Sequence, residues 1–211
     1  MPADYHHCAA EGDIHRLYVL IALSLAYASL LVAVQITDPT AVLLFLSWLT
    51  LSVLYSARPV RFKARPILDF SSNFLYVIPA LLAYYQASGL IPNWVPVLGA
   101  FTWTAAMHLF SAIPDIESDR SAGIRTTAVV LGKKSSLVLC FMFWSLFSVI
   151  LIVLTPWNPP YNLMMLVYPA IPLVLLLRPS ISIDRVYWYF PYYTGLFGMV
   201  MTLSFMIRLV L

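Results

Sequence analysis

The sequence predicts an all-α integral membrane protein, a single helical bundle of seven spans. Three observations carry that prediction. Charged residues make up 10% of the 211 residues, against about 25% in soluble domains, and the mean hydropathy is +0.86. Seven apolar stretches can be marked, most of them close to the ~20 residues that a bilayer crossing needs. Lys and Arg fall in alternate loops, as the positive-inside rule requires, with Arg208 near the far end of the last span on the other side. A net charge of +3 distributed in this way is no nucleic-acid signal.

The first stretch, Leu17–Ile36, follows a polar and acidic leader with no cleavable signal pattern. Asp38-Pro39 interrupts the chain, and Thr40–Tyr55 is the second stretch. Ile67–Ala87 is the third, ended by S-G-L-I-P-N, and Trp94–Ile113 the fourth. Ser135–Leu154, Tyr161–Leu177 and Tyr187–Leu211 complete the set, separated by T-P-W-N-P-P and R-P-S-I-S-I-D-R. Tyr55, Trp94, Trp157, Tyr161, Tyr187, Trp188 and Tyr189 gather near span ends, as interfacial aromatics do. Cys8 and Cys140 stand alone and suggest neither a disulfide framework nor a metal site. With no repeat, low-complexity tract or soluble domain, residues 1–211 read as one transmembrane domain.

Arg16 precedes the first span, and Arg58, Arg61, Lys63 and Arg65 follow the second. Arg120, Arg125, Lys133 and Lys134 follow the fourth, and Arg178 and Arg185 follow the sixth. The three intervening loops hold no Lys or Arg. The expectation is a multi-pass protein of the cell membrane with its N-terminus and charged loops in the cytoplasm.

The most informative stretch is Ile113–Lys134, I-P-D-I-E-S-D-R-S-A-G-I-R-T-T-A-V-V-L-G-K-K. If Asp115 onward is helical, Asp115 and Asp119 share one face with Cβ atoms about 5–6 Å apart. Like charges that close raise each other's pKa unless a cation lies between them. Mg²⁺ is suited to such a place, because it typically takes one or two carboxylates and completes its shell with substrate phosphates. The plain alternative is a solvated loop in which the acids pair with Arg120 and Arg125.

On the same membrane side lies Y-S-A-R-P-V-R-F-K-A-R-P, Tyr55–Pro66. Its cations can grip a diphosphate, Arg through bidentate contacts and Lys as a point charge. Alone, the stretch reads equally as a topogenic loop meeting anionic lipid. An acidic motif on the same side favours the diphosphate. Two polar stripes run inward from these loops. Asp69, Asn73 and Tyr76 share a face of the third span, and Trp103, His108 and Asp115 thread the fourth. His108 is open to two readings, a hydrogen-bonded packing residue or a pocket residue. Asp69 at a span mouth is open to a plain ion pair with Arg65 or Lys63.

Together, the Tyr55–Pro66 run, D-F-S-S-N, and D-x-x-x-D-x-x-x-G-x-x-T followed by an apolar run and Leu-Gly resemble the UbiA superfamily of intramembrane prenyltransferases. Within it, the chain is most similar to the branch of lycopene elongases and carotenoid prenyltransferases. The resemblance implies a nine-helix fold around a lipid-open cavity, of which this chain supplies the last seven helices. It implies Mg²⁺ held by Asp115 and Asp119, which are thereby its catalytic residues. It also implies that Arg58, Arg61 and Lys63 form the diphosphate-gripping loop with Tyr55 at its head. Asn73, His108 and Arg125 complete the expected substrate-binding set. The implied donor is an allylic diphosphate such as dimethylallyl diphosphate. The implied acceptor is hydrophobic, a linear carotenoid such as lycopene or else a quinone, aromatic or other lipid, with membrane lipid around it and no nucleic acid.

The family's first motif, N-D-x-x-D, has no match before the first span, where Asp4, Glu11 and Asp13 sit in unrelated surroundings. On this reading the chain is N-terminally truncated or degenerate, and nearly inactive as it stands. The rival readings are an inactive membrane subunit that binds isoprenoid lipid and, more distantly, a small-solute transporter. The orientation is open to direct test. Cysteines placed in the Arg58–Arg65 loop should resist membrane-impermeant thiol reagents in intact cells, and labelling from outside would reverse the assignment.

Overall fold

The computed structural model describes residues 18–26, 28–29, 38–156 and 161–210, and contains no strand among them. The expected first span is described only at its helical residues 18–26 and 28–29, while Asp4, Glu11, Asp13 and Trp157 lie outside the described residues. Two compact units are delimited, Met1–Leu43 and Leu44–Leu211. In the first, the Asp38 carboxylate accepts from the N–H groups of Thr40 (2.8 Å) and Ala41 (3.0 Å), capping the start of helix α1, Pro39–Ser56. Pro39 sits at the first helical position, where its missing N–H costs nothing.

The second unit continues with α2 (Leu68–Ser71), α3 (Ile78–Ser88), α4 (Trp94–Ala112), α5 (Ile116–Ser121), α6 (Thr127–Leu154), α7 (Val167–Leu177) and α8 (Ile183–Val210). Three helices of this set and α1 are long and apolar enough to cross a membrane: Pro39–Ser56, Trp94–Ala112, Thr127–Leu154 and Ile183–Arg208. The protein is therefore an all-α, multi-pass membrane protein. These four coincide with the second, fourth, fifth and seventh stretches marked in the sequence.

The third and sixth stretches are helical but broken. Ile67–Ala87 resolves into α2, a 3₁₀ turn over Ser72–Tyr76, and α3. Pro79, in the first turn of α3, has no N–H to donate back to Leu75, so the helical ladder loses a bond at this point. The sixth stretch begins as a 3₁₀ turn, Tyr161–Leu166, before α7. Here Pro169 leaves the Met165 carbonyl without its helical donor, and the Ser148 hydroxyl of α6 donates to that oxygen at 2.8 Å. Asn162 Nδ2 donates to the Thr155 carbonyl at 2.9 Å and closes the turn at the end of α6. The fifth stretch starts earlier than its hydropathy suggests. Its helix begins at Thr127 and kinks at Gly132, whose φ of 74° and ψ of 169° only glycine adopts readily.

α4 and α6 pack along one another, and α6 packs against α7. In lipid the apolar effect does not press helices together, so close approach of small residues matters. Ala105 and Ala106 are fully buried, and the Cys140 thiol donates to the Ala106 carbonyl at 3.6 Å. Around this seam stands an aromatic core: Trp144 stacks on Phe190 at 5.4 Å, and Phe110 and Tyr168 pack against both. Gly99 marks a close crossing of α4 and α6. A Cβ there would stand 3.0 Å from Ile150 Cγ2. Gly99→Leu should thus destabilise the detergent-solubilised protein by about 1–3 kcal/mol through overpacking. Adding Ile150→Ala should recover part of that loss, measured as the coupling in a double-mutant cycle of unfolding.

Candidate active site

Two loops meet at one end of α4 and α6, and a buried carboxylate joins them. Asp69, fully buried in α2, accepts from the Thr127 backbone N–H and the Thr127 hydroxyl, both at 2.5 Å, and from the Phe70 N–H at 2.9 Å. It thus caps the N-terminus of α6, where the helix dipole favours negative charge. The sequence left Asp69 open to an ion pair with Arg65 or Lys63. Instead the Arg65 guanidinium donates to the Pro59 carbonyl at 3.0 Å, and Asp69 belongs to Thr127. Thr127 Oγ1 also accepts from the Ile67 N–H at 2.6 Å, holding Ile67 at φ 70°, where a β-branched residue is a genuine outlier.

Each fixed position of D-x-x-x-D-x-x-x-G-x-x-T has a local task. Asp115 stands at the N-cap of α5, and its carbonyl accepts from the Asp119 N–H at 2.8 Å. Its carboxylate makes no capping bond. Gly123 closes α5 at φ 69°, with the Ile124 N–H on the Asp119 carbonyl (2.9 Å) and the Gly123 N–H on that of Arg120 (3.2 Å). Thr126 is the N-cap of α6, its hydroxyl accepting from the Val129 N–H at 3.3 Å and lying 3.4 Å from Asp119 Oδ2.

Between the loops is a cavity of about 200 Å³, lined by Tyr55, Arg61, Lys63, His108, Asp115 and Asp119 among others. A second cavity of about 460 Å³, lined by Asn73, Tyr76, Trp103, Thr104 and Met107, shares His108 and Ser111 with the first. Of the nine expected metal- and substrate-binding residues, six line the first cavity, Asn73 lines the second with Tyr76 and Trp103, and Arg58 and Arg125 are exposed and line neither. Arg61 enters because its left-handed backbone (φ 42°) starts the 3₁₀ turn Phe62–Ala64, which carries Lys63.

Burial pushes the Asp115 carboxyl above its ordinary range, and the neighbouring charges of Asp119 and Asp184 add to the effect. Arg120 is drawn off to Glu117 at 2.7 Å, on the exposed side. The donor set fits a hard cation only in part. Asp115 and Asp119 supply two carboxylates, and the described residues hold no cluster of three or more His, Cys, Asp or Glu side chains. Two carboxylates are the complement that leaves the remaining positions to phosphate oxygens and water.

Residues 6–189 match the model of the UbiA prenyltransferase family. The chain belongs to that family. Among curated UbiA-type relatives, it is 40% identical over 183 residues to a lycopene elongase/hydratase of Haloarcula japonica, covering 86% of this chain and 61% of that protein. It is 42% identical over 158 residues to a lycopene elongase/hydratase of Halobacterium salinarum, covering 75% and 56%. A 4-hydroxybenzoate octaprenyltransferase of Azotobacter vinelandii is 30% identical over 116 residues, covering 54% and 36%. The chain thus spans little more than half the length of its carotenoid-branch relatives. No solved structure gives a significant match.

The Asp69–Thr127 clamp is the feature that sequence reading missed. Its partners are 58 residues apart, and the only signal was an acid on an otherwise apolar span. Thr127→Val should leave the buried carboxylate one donor short, at a cost of about 1–3 kcal/mol. Thr127→Ser should retain stability, and urea unfolding of the three proteins in detergent separates the hydroxyl from mere volume.

Proposed function

We propose that the chain forms the diphosphate and acceptor site of a prenyltransferase that adds a C5 unit to a linear carotenoid such as lycopene. The observation that carries this reading is one cavity with two acids on one wall and two cations on another, opening at His108 and Ser111 onto an aromatic-lined second cavity. The donor is an allylic diphosphate such as dimethylallyl diphosphate, and the site lies at the cytoplasmic face of the cell membrane. Arg61 and Lys63 hold the diphosphate and favour its departure with the bonding electron pair. Asp115 and Asp119 would hold Mg²⁺, which when bound supplies the positive charge that offsets the leaving group. The second cavity lies within the ~300–1,000 Å³ usual for ligand pockets. Its Trp103, Tyr76 and Met107 keep water from the allylic cation while the acceptor's double bond attacks C1. The elongase/hydratase relatives support a carotenoid acceptor, and the octaprenyltransferase relative makes an aromatic acceptor the comparison to run beside it.

Asp115→Asn or Asp119→Asn should abolish Mg²⁺-dependent binding of an unreactive thiolodiphosphate analogue. Arg61→Ala or Lys63→Ala should weaken binding about 10- to 100-fold, as expected of a lost charge-assisted hydrogen bond, and leave the Mg²⁺ dependence in place. Arg58→Ala and Arg125→Ala should change it by less than about threefold, the range of an exposed charge pair. Binding without Mg²⁺, or full binding by the Asn variants, would refute the metal assignment. Acidity acts in the same direction. Because the fold raises the Asp115 pKa, its ionised form costs the cation-free protein stability above that pKa, and the cost vanishes as pH falls through it. A bound cation needs the ionised form, so Mg²⁺ affinity should fall as pH drops through the raised value. Calorimetric titration across pH checks the sign.

A further inference from the structure

The second cavity, about 460 Å³, must on the prenyl-transfer reading hold the donor's prenyl group together with the reacting end of the acceptor. A one-unit prenyl group leaves room for both, whereas a long prenyl tail competes with the acceptor for the same space. Along α4 the course of a tail can be followed. Ser111, His108, Met107, Thr104 and Trp103 line the cavity from one helix face, in that order away from the acidic loop. Trp103 is the last of them. It lies about 7–8 Å along the axis from His108, where the two cavities meet, at a rise of ~1.5 Å per residue. An extended isoprene unit, with C–C bonds of ~1.5 Å in zigzag, advances about 5 Å. One unit fits within that distance, and three units exceed it by about a factor of two.

Trp103 is also the part of this wall least able to yield. Its indole meets Tyr168 at 6.0 Å and Phe147 at 6.5 Å, and those two rings meet each other at 5.8 Å. Tyr168 is buried and packs in turn on Trp144 at 5.8 Å. Pushing the indole back would overpack a close-packed group of rings. Its neighbours in the lining are softer. Met107 is unbranched and adapts to what lies against it. Tyr76 is 60% exposed and has room to turn.

We propose that Trp103 limits the length of the donor, so that the site takes a one-unit allylic diphosphate and turns away prenyl diphosphates of three units or more. This assignment rests on the prenyl-transfer reading above. Trp103 is a specificity-determining residue, placed against the hydrocarbon tail and not at the reacting atoms. Met107 offers the converse. It lies one turn nearer the diphosphate end, and a large ring there would bring the stop forward by about 6 Å, into the space of a single unit.

The test is equilibrium binding of unreactive thiolodiphosphate analogues with dimethylallyl, geranyl and farnesyl tails to the full chain in detergent with Mg²⁺. Ratios of affinity are compared between proteins in one detergent, which cancels the partition of longer tails into micelles. The ratio of farnesyl to dimethylallyl affinity should rise about tenfold or more in Trp103→Ala, the lower end of what a methylene-sized misfit is worth in an apolar pocket. Trp103→Phe keeps a ring against Tyr168 and Phe147, guards against misfolding of the alanine variant, and should move the ratio the same way by a smaller factor. Met107→Trp should weaken the dimethylallyl analogue itself about tenfold or more. A merely structural role for Trp103 would weaken all three lengths alike and leave the ratio where it was. That result in both Trp103 variants would overturn the proposal and leave the prenyl-transfer reading standing. Failure of the unsubstituted protein to bind any of the three analogues would remove the prenyl-transfer reading itself, and this proposal with it.

Discussion

The hydrogen bonds between Asp69 and Thr127 tie the basic loop to the acidic one, and the geometry of the site depends on them. Taking a carboxylate out of water costs several kcal/mol. Here three donors and the positive end of α6 offset that cost. With Thr127 Oγ1 accepting from Ile67, the backbone is held where it would not rest unaided, a strain of order 1–3 kcal/mol for such a residue. The exit of the basic loop is fixed as a result. Neither Asp115 nor Asp119 forms an ion pair among the described residues, although Arg61 and Lys63 line the same cavity. A looser joint would let these charges collapse onto one another and close the space between them.

The apolar half is held from the other side. Trp103 lines the second cavity and also meets Tyr168 at 6.0 Å and Phe147 at 6.5 Å. Through Tyr168 it joins the cluster around Trp144 and Phe190. One wall of the cavity is thus the edge of the aromatic core, whose rings keep their relative positions because interiors are close-packed. Polar and apolar chambers are fixed by different devices, a hydrogen-bonded cap and an aromatic core. They meet at His108 and Ser111, one turn from the end of α4.

What was legible in the sequence was local. α1, α4, α6 and α8 follow from length and hydropathy, and the acidic motif follows from helix physics. Its Asp pair is four apart, whereas the helix stop at Gly123 and the helix cap at Thr126 emerge from the structure. What was not legible depended on long-range pairing or on backbone direction. Asp69 needed Thr127, and nothing near either residue announces the other. The third stretch has the composition of one helix, yet the clamp and Pro79 divide it. Arg58 and Arg61 look equivalent in A-R-P-V-R, but the left-handed turn at Arg61 aims only one of them into the cavity. Cation counting cannot separate them.

The acidic wall carries local bracing of its own. Ionised Asp115 raises the free energy of the cation-free fold, since its partial burial and the charges of Asp119 and Asp184 act against it. Left to itself, a six-residue helix bearing such a pair would fray, because so short a helix is marginal in water. Gly123 closes its C-terminus with two backbone hydrogen bonds, and Thr126 starts the next helix at once. Those contacts hold the two acids at a spacing they would otherwise relax. A ligand that binds the folded state alone, at 100 times its Kd, stabilises that state by about 2.7 kcal/mol. A cation held by both acids would act in that way wherever Asp115 is ionised.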